Sequence, residues 1–406
     1  MIDYRILYHA FSRPASLLIR KKAKQAGQIM LVLCCFICYD KIVKYRAVIP
    51  DSMNRPYEKE KMTMSQFKFS VGPWNVHTGA DSYGPETRSA IDLETKFANF
   101  KRLGFDAVQF HDDDAVPNMN NLSEEEIKAE ARKVKALLDK YDLKAEFVAP
   151  RLWMDPHTTD GGFTSTSKED RDFAMWRAYR SIDIARELGT DLIVLWLARE
   201  GTLCAEAKSP VTATRQLVEA VDNMLRYDDS IRVCIEPKPN EPIDRSFAGT
   251  IGHVMAISAA TIDPRRVGAN LESAHAVLAG LDPANEIGFA LAFDKLFTVH
   301  MNDQNGIRYD QDKSFGVENL RSAFNQVKVL MENNYGSKGE YVGLDVKAMR
   351  TTCDEDSYEH LKNSLAIFKA MEEKVKKYDY NYANKLIAEK KFEQLEMYVV
   401  GLIMGI

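Results

Sequence analysis

The sequence predicts a closed (β/α)8 barrel, the TIM-barrel fold class, with a helical C-terminal tail. Eight short apolar segments, each of the kind that forms a buried strand, start near Phe67, Phe105, Lys144, Asp191, Ile231, Arg266, Lys295 and Glu340. Their starts are 29 to 47 residues apart, which suits a strand followed by a helix. An open doubly wound sheet is the alternative, but no Gly-x-Gly-x-x-Gly turn follows the first strand.

Helix signals lie between the predicted strands. The segment from Ser123 to Glu126 has the pattern of a capping box, and it predicts a helix that runs to about residue 141. Ser167 predicts the start of another helix, which we expect to end near Gly189. Apolar residues at helical spacing indicate a further helix between residues 317 and 333.

The composition argues against a nucleic-acid partner and for a reducing compartment. The 406 residues carry a net charge of −5, and no block of Lys and Arg marks a basic face. Three of the six cysteines cluster near the N-terminus, and the other three lack the spacing of a zinc site. We therefore expect a cytoplasmic protein with no structural disulfides.

Residues 1–63 differ from the rest of the chain. Three lysines between positions 21 and 24 precede an apolar run from Ile29 to Tyr39, which is too short to span a bilayer. An anchor, a poor signal sequence and an upstream stretch that is not normally translated are the three interpretations. We favour the last, because Met62 and Met64 lie just before the first strand. The predicted organisation is therefore an N-terminal extension (1–63), disordered or not native, a barrel domain (64–375) and a C-terminal helical tail (376–406), without stable membrane association.

The most informative strand end is Glu236, where the apolar run 233–235 stops. Pro237 and Pro239 prevent the strand from continuing, and Lys238 points to the same side as Glu236 because side chains alternate along a strand. A buried carboxylate and a buried ammonium group are costly unless they are paired or used. They form either a structural ion pair or a metal ligand beside a lysine that polarises a substrate.

Other predicted strand ends also carry carboxylates and histidines. These candidate metal ligands are Glu236, Glu272, His275, His300, Asp310, Asp312 and Asp345. Such carboxylates would repel one another at the mouth of a barrel unless cations were bound there. Oxygen ligands with one or two imidazoles suit Mg²⁺, Mn²⁺ or Co²⁺. We expect two ions that share Glu272. One is held with Glu236, His300 and Asp345, and the other with His275, Asp310 and Asp312.

The remaining candidates form a catalytic pair and a pocket. His111 has Asp114 three residues later, so the carboxylate can orient the imidazole for proton transfer. Three of the four tryptophans fall at strand ends, where they would surround a dry pocket. The residues expected to line the pocket are Trp74, Trp153, Trp196, Asn270 and Lys347. We interpret the adjacent Asp112 and Asp113 as solvated or structural.

Three motifs resemble xylose isomerase, namely Phe-His-Asp-Asp-Asp at 110–114, Glu-Pro-Lys-Pro-Asn-Glu-Pro at 236–242 and Tyr-Asp-Gln-Asp at 309–312. The similarity runs from about residue 67 to residue 374. It implies that an aldose such as D-xylose and its ketose are interconverted by ring opening and a metal-assisted hydride shift between C2 and C1. It also implies that His111 with Asp114 assists ring opening, that Lys238 polarises the substrate's O1, and that the protein is a homotetramer or homodimer.

The sequence departs from the xylose isomerase pattern in three places. His300 stands where the family has an aspartate, the family's Thr-Thr-Asn-Leu-Phe stretch is replaced at residues 149–153, and the tail is short, with an apolar end at 399–406. A metal-dependent sugar epimerase and a non-catalytic sugar-binding relative are the alternatives. A barrel phosphodiesterase is a weaker alternative. It would require more histidine ligands and a basic groove, which this acidic sequence lacks.

Overall fold

The computed structural model describes residues 67–406, which form a closed barrel of eight parallel strands. The strands are β1 (Phe69–Val71), β2 (Ala107–His111), β3 (Lys144–Ala149), β4 (Leu192–Trp196), β5 (Arg232–Glu236), β6 (Val267–Glu272), β7 (Leu296–Met301) and β8 (Val342–Leu344). Each strand pairs with the next, and β1 also pairs with β8, which closes the ring. Every observed strand starts within two residues of its predicted start, so the predicted fold class is confirmed.

A principal helix follows each strand and packs outside the barrel. These helices are α1 (Leu93–Leu103), α2 (Glu124–Lys140), α3 (Lys168–Leu188), α4 (Pro210–Tyr227), α5 (Ile251–Ala260), α6 (Pro283–Ala292), α7 (Leu320–Glu332) and α8 (Glu359–Lys376). Two short helices, Asp112–Ala115 and Ser273–Leu278, directly follow β2 and β6. They place side chains one turn above the ends of those strands.

The predicted helix boundaries agree with the observed caps. Ser123 and Glu126 form the expected capping box of α2, and Ser167 caps α3, which ends at Gly189 with φ of 85°. Helix α7 begins three residues later than expected. Asn319 is its N-cap, and its side chain accepts a hydrogen bond from the main-chain N–H of Ser322 at 2.9 Å.

Two hydrophobic clusters fill the barrel. The larger lies between strands and helices, and the smaller lies inside the ring around Phe147, Leu192, Val194 and Cys234. The interior is therefore packed with side chains and is not a channel, as in other barrels of this size. Polar side chains that directly follow the strands therefore lie at the carboxyl end of the barrel.

The C-terminal tail is helical, as predicted. Helices α9 (Tyr380–Ala388) and α10 (Phe392–Met404) follow α8, and α10 packs back against the barrel helices, with Arg321 of α7 3.1 Å from Glu396. The predictions for residues 1–63 lie outside the described residues. Within 67–406, no helix is long and apolar enough to cross a membrane.

His360 joins the first and last strand–helix units. It lies in the first turn of α8, it is 7% exposed, and its Nε2 donates a hydrogen bond to the carbonyl oxygen of Asn75 at 2.8 Å. The Asn75 side chain in turn accepts from the main-chain N–H of Val346 at 2.7 Å. Burial lowers the pKa of His360 from 6.5 to about 4, so the folded protein holds this imidazole neutral.

This low pKa predicts a loss of stability in acid. The unfolded chain takes up a proton at His360 below pH 6.5, whereas the folded chain does so only near 4, so stability falls as the pH drops through this window. His360→Gln keeps an N–H donor but does not titrate. Between about pH 7 and about pH 5, we expect the wild type to lose about 2 kcal/mol more unfolding free energy than the variant. Urea melts of both proteins at the two pH values measure this difference, and equal losses would contradict it.

Candidate functional site

A cavity of about 390 Å³ lies at the carboxyl ends of the strands, and all eight strand ends contribute to its lining. This volume is typical of small-molecule sites. The cavity contains every predicted site residue except Asp114, which lies behind His111, and Asn270. The residues predicted for one rim from eight separate segments are therefore brought together.

Three overlapping groups of candidate ligand atoms, most of them buried, share Glu272. Its carboxylate, at the end of β6, groups with Glu236 and His275, with His300 and Asp345, and with Asp310 and Asp312. Within each group the candidate ligand atoms lie within 4.8 Å of one another. The sharing of Glu272 was predicted, whereas the approach of His275 to Glu236, with Nδ1 3.5 Å from Oε1, was not.

His300 points into the carboxylates from β7. Its Nδ1 lies 3.3 Å from Glu236 Oε2, 3.4 Å from Glu272 Oε2 and 3.8 Å from Asp345 Oδ2. The strand register explains this approach, because Glu272 of β6 and His300 of β7 are directly paired. The imidazole therefore faces the carboxylate cluster, and its assignment as a ligand stays a prediction.

Two amides hold the carboxylates in place. Asn302 donates from Nδ2 to Glu272 Oε1 at 2.9 Å and to Asp312 Oδ1 at 3.1 Å. Asn270 donates to Glu236 Oε2 at 2.6 Å. Sequence reasoning assigned no site role to Asn302 and placed Asn270 in the pocket. Asn270 is instead fully buried behind Glu236, because it lies two residues before the end of β6.

The two aspartates after β7 have opposite pKa shifts. Burial, followed by the neighbouring charge of Asp310, raises the pKa of Asp312 well above its ordinary value. Burial acts in the same direction on Asp310, but the charges of His275 and Lys238 outweigh it and hold the pKa of Asp310 well below its ordinary value. Negative charge is therefore harder to keep on Asp312 than on Asp310.

The deepest carboxylate and the β7 histidine show the same excess of negative charge. Burial, with the charges of Asp345 and Glu236, raises the pKa of Glu272. Burial opposes protonation of His300, but the charge of Glu236 and the other carboxylates raises the pKa of His300 well above its ordinary value. The cluster thus attracts positive charge.

The residues fit divalent cations. Five carboxylates and two imidazoles supply oxygen and nitrogen donors of the type that Mg²⁺, Mn²⁺ and Co²⁺ accept. Asp310 Oδ1 is buried and receives no hydrogen bond from the residues that the structure describes. A buried carboxylate oxygen without a partner is costly, and a bound cation would remove that cost.

Lys238 stands beside the cluster. Its Nζ donates a hydrogen bond to Asp310 Oδ2 at 2.8 Å and lies 5.2 Å from the centre of the Trp196 ring. Burial opposes its charge, but Asp310 raises the pKa of Lys238 above its ordinary value. The side chain is therefore a fixed, positively charged donor at the wall of the cavity.

Aromatic rings form an adjoining wall of the cavity. His111 lies between Trp74 and Trp153, with ring centres 4.3 Å and 5.2 Å away, and Trp153 meets Trp196 at 4.4 Å. Trp74 also donates from Nε1 to Asp345 Oδ1 at 2.9 Å. The predicted tryptophan wall is present, and it contacts both the imidazole and the carboxylate cluster.

The three consecutive aspartates after His111 have three different partners. Asp112 is fully buried and accepts two hydrogen bonds of 2.7 Å from Arg177 of α3, which agrees with the structural interpretation. Asp113 accepts from Arg151 Nε at 2.7 Å. Asp114 Oδ2 accepts from the main-chain N–H of His111 at 3.0 Å, and it is also 3.0 Å from His111 Nδ1.

Sequence reasoning missed several parts of the cavity lining. Arg151, Arg199 and Glu241 line it, and Glu241 Oε2 accepts from the main-chain N–H of Asp310 at 2.7 Å. Lys347 was predicted to line the pocket and does so, although its side chain is half exposed and bonds to Asp312. Glu241 belongs to the 236–242 motif, so that motif was the signal that could have identified it.

Comparison with known proteins identifies the family. Solved structures with the same fold include a D-tagatose 3-epimerase-like protein, with 16% identity, a TM-score of 0.55, and 74% of this chain and 98% of that chain covered. A D-psicose 3-epimerase from Clostridium cellulolyticum H10 has 13% identity, a TM-score of 0.56, and 75% and 99% coverage. The model of the family described as xylose isomerase-like TIM barrel matches residues 97–336. Because that match covers more than half of the 406 residues, the protein belongs to the xylose isomerase-like TIM barrel family.

Proposed function

We propose that the protein is a divalent-metal-dependent aldose–ketose isomerase, which interconverts an aldose such as D-xylose with its ketose. The observation that carries this proposal is the group of carboxylates and imidazoles around Glu272, with the fixed ammonium group of Lys238 beside it. A cavity of about 390 Å³ accommodates a small polar molecule. The coarser function, interconversion of sugars by isomerisation or epimerisation, is also supported by the family.

We assign the ligands of two cations as the sequence predicted. One would be held by Glu236, Glu272, His300 and Asp345, and the other by Glu272, His275, Asp310 and Asp312. When bound, divalent cations supply Lewis-acid polarisation of the sugar's hydroxyl and carbonyl oxygens. Lys238, held by Asp310 at 2.8 Å, donates a hydrogen bond to the substrate's O1.

The aromatic wall favours a hydride shift. In the isomerisation, a hydride moves from C2 to C1 while a proton passes from O2 to O1, so the product has the same formula as the substrate. Trp74, Trp153 and Trp196 line the cavity with apolar rings, which limits the contact of water with the reacting carbons. His111, which touches two of these rings, assists opening of the sugar ring.

We also propose that the protein is a dimer or tetramer. The tail helices α9 and α10 leave large apolar side chains exposed, including Ile387 at 48%, Phe392 at 54% and Met397 at 67%. Where such side chains form one continuous apolar patch, the patch is typical of a surface between subunits.

The first prediction from the proposed function concerns metal dependence. We expect the protein to convert an aldose to a ketose with Mg²⁺, Mn²⁺ or Co²⁺, and to lose this activity after dialysis against EDTA. Glu272→Gln removes a ligand common to all three groups, so it should lower metal affinity by more than the roughly 10–100-fold that outer partners of a metal site contribute. An aldose panel with ketose detection measures activity, and titration calorimetry measures the affinity.

The matched control for this experiment is Glu219→Gln, the same chemical change at an exposed position of α4. This variant should keep both the affinity and the activity of the wild type. Full turnover after rigorous removal of metal would refute the proposed function.

The second prediction distinguishes the hydride shift from proton transfer. In D₂O, the ketose should contain essentially no carbon-bound deuterium, because the hydrogen moves within the sugar. Mass spectrometry and proton NMR of the isolated product measure the deuterium. Substantial incorporation would instead indicate a carboxylate acting as a base, which is the chemistry of an epimerase-type site.

The third prediction concerns His300, which stands where xylose isomerase has an aspartate. Nitrogen ligands favour Mn²⁺, Co²⁺ and Zn²⁺ relative to Mg²⁺, and His300 Nδ1 faces three carboxylates. We expect His300→Asp to shift the metal preference toward Mg²⁺, measured as activity or affinity across the four ions. His253→Asp, at a surface histidine of α5, should leave the ranking unchanged. The same ranking in wild type and His300→Asp would show that His300 is not a ligand.

A further inference from the structure

Arg151 makes a direct contact with the imidazole of His111. It lies in the stretch after β3 where the sequence departs from xylose isomerase, and its Nη2 is 2.7 Å from His111 Nδ1. Its Nε donates to Asp113 Oδ1 at 2.7 Å, and its guanidinium carbon is 5.5 Å from the centre of the Trp153 ring. The guanidinium is therefore held from two other sides while it faces Nδ1.

This contact restricts the protonation state of Nδ1. A guanidinium group is always protonated and has no lone pair to offer, so it can only donate a hydrogen bond. The Asp114 carboxylate, 3.0 Å from the same Nδ1, can only accept. Nδ1 must carry a lone pair to bond with Arg151 and a proton to bond with Asp114. It cannot satisfy both groups at once.

The surrounding contacts favour Arg151. Asp114 Oδ2 already accepts the main-chain N–H of His111 at 3.0 Å, and Asp114 Oδ1 is 3.5 Å from Arg151 Nη2. Asp114 therefore keeps partners if Nδ1 is unprotonated. A protonated Nδ1 would keep its bond to Asp114 Oδ2, but it would also face an N–H of Arg151 at 2.7 Å, one donor against another. Asp113 restrains the guanidinium from withdrawing.

We propose that Arg151 is a positioning residue that holds neutral His111 in the tautomer with its proton on Nε2. In the part of the chain that the structure describes, no residue hydrogen-bonds to that Nε2, and the ring lines the cavity. His111 then offers the ligand an N–H donor and no lone pair. For the sugar reaction, this step rests on the proposed function: His111 assists ring opening by donating a hydrogen bond to the ring oxygen and does not remove a proton.

Nitrogen NMR tests the tautomer directly. Full-length protein labelled with ¹⁵N-histidine is studied with Mg²⁺ present at about pH 8, well above the ordinary histidine pKa of about 6.5. The His111 signals are identified by their loss in His111→Gln. We expect the wild type to show a protonated Nε2 and an unprotonated Nδ1.

Two substitutions at Arg151 complete the test. Arg151→Met removes the donor, so the proton should move to Nδ1 and bond with Asp114. Arg151→Lys keeps a charged donor and should preserve the wild-type tautomer. A protonated Nδ1 in the wild type, or an Nε2 proton that persists unchanged in Arg151→Met, would overturn the proposal. The wild-type spectrum decides even if a variant fails to fold.

These experiments distinguish a wrong tautomer assignment from a wrong proposed function. If no aldose is converted but the wild type carries the Nε2 proton and Arg151→Met loses it, the proposed function is wrong and the assignment to Arg151 stands. If an aldose is isomerised while wild-type His111 carries its proton on Nδ1, the proposed function stands and the assignment is wrong.

Discussion

Repulsion between buried carboxylates is the constraint on which the rest of the site depends. Glu236, Glu272, Asp310, Asp312 and Asp345 converge in a region of low dielectric, where like charges interact strongly. The protein balances this charge with ammonium groups and imidazoles, and with the amides of Asn270 and Asn302. The opposite pKa shifts of Asp310 and Asp312 show that this balance is incomplete without a cation.

Strand ends were predictable from the sequence because their signals are local. At Glu236, an apolar run stops and prolines follow, and that is enough to place the carboxylate at the rim. The caps at Ser123 and Ser167 are equally local, since each depends on residues within one turn of the helix. The motif resemblance then related those rim residues to one kind of chemistry.

Contacts between distant segments were not predictable in this way. The approach of His300 to Glu272 depends on the pairing register of β6 and β7, which neither segment contains by itself. Asn302 binds two carboxylates from different parts of the chain, and its sequence context resembles that of any polar strand end. Arg151 was noticed only as a departure from a pattern, and its contact with His111 required the relative positions of β2 and β3.

The pairing of Asp112 with Arg177 connects the cavity to the outer layer of helices. Asp112, which bonds to α3, belongs to the same short helix as Asp113 and Asp114. Asp113 bonds to Arg151, and Asp114 bonds to the main-chain N–H of His111. Arg177, in the middle of α3, thus anchors the short helix whose other aspartates contact Arg151 and His111. In a survey of random variants, inactivating substitutions would therefore accumulate at Arg177, as they would at residues that line the cavity. They would do so although Arg177 does not itself line that cavity.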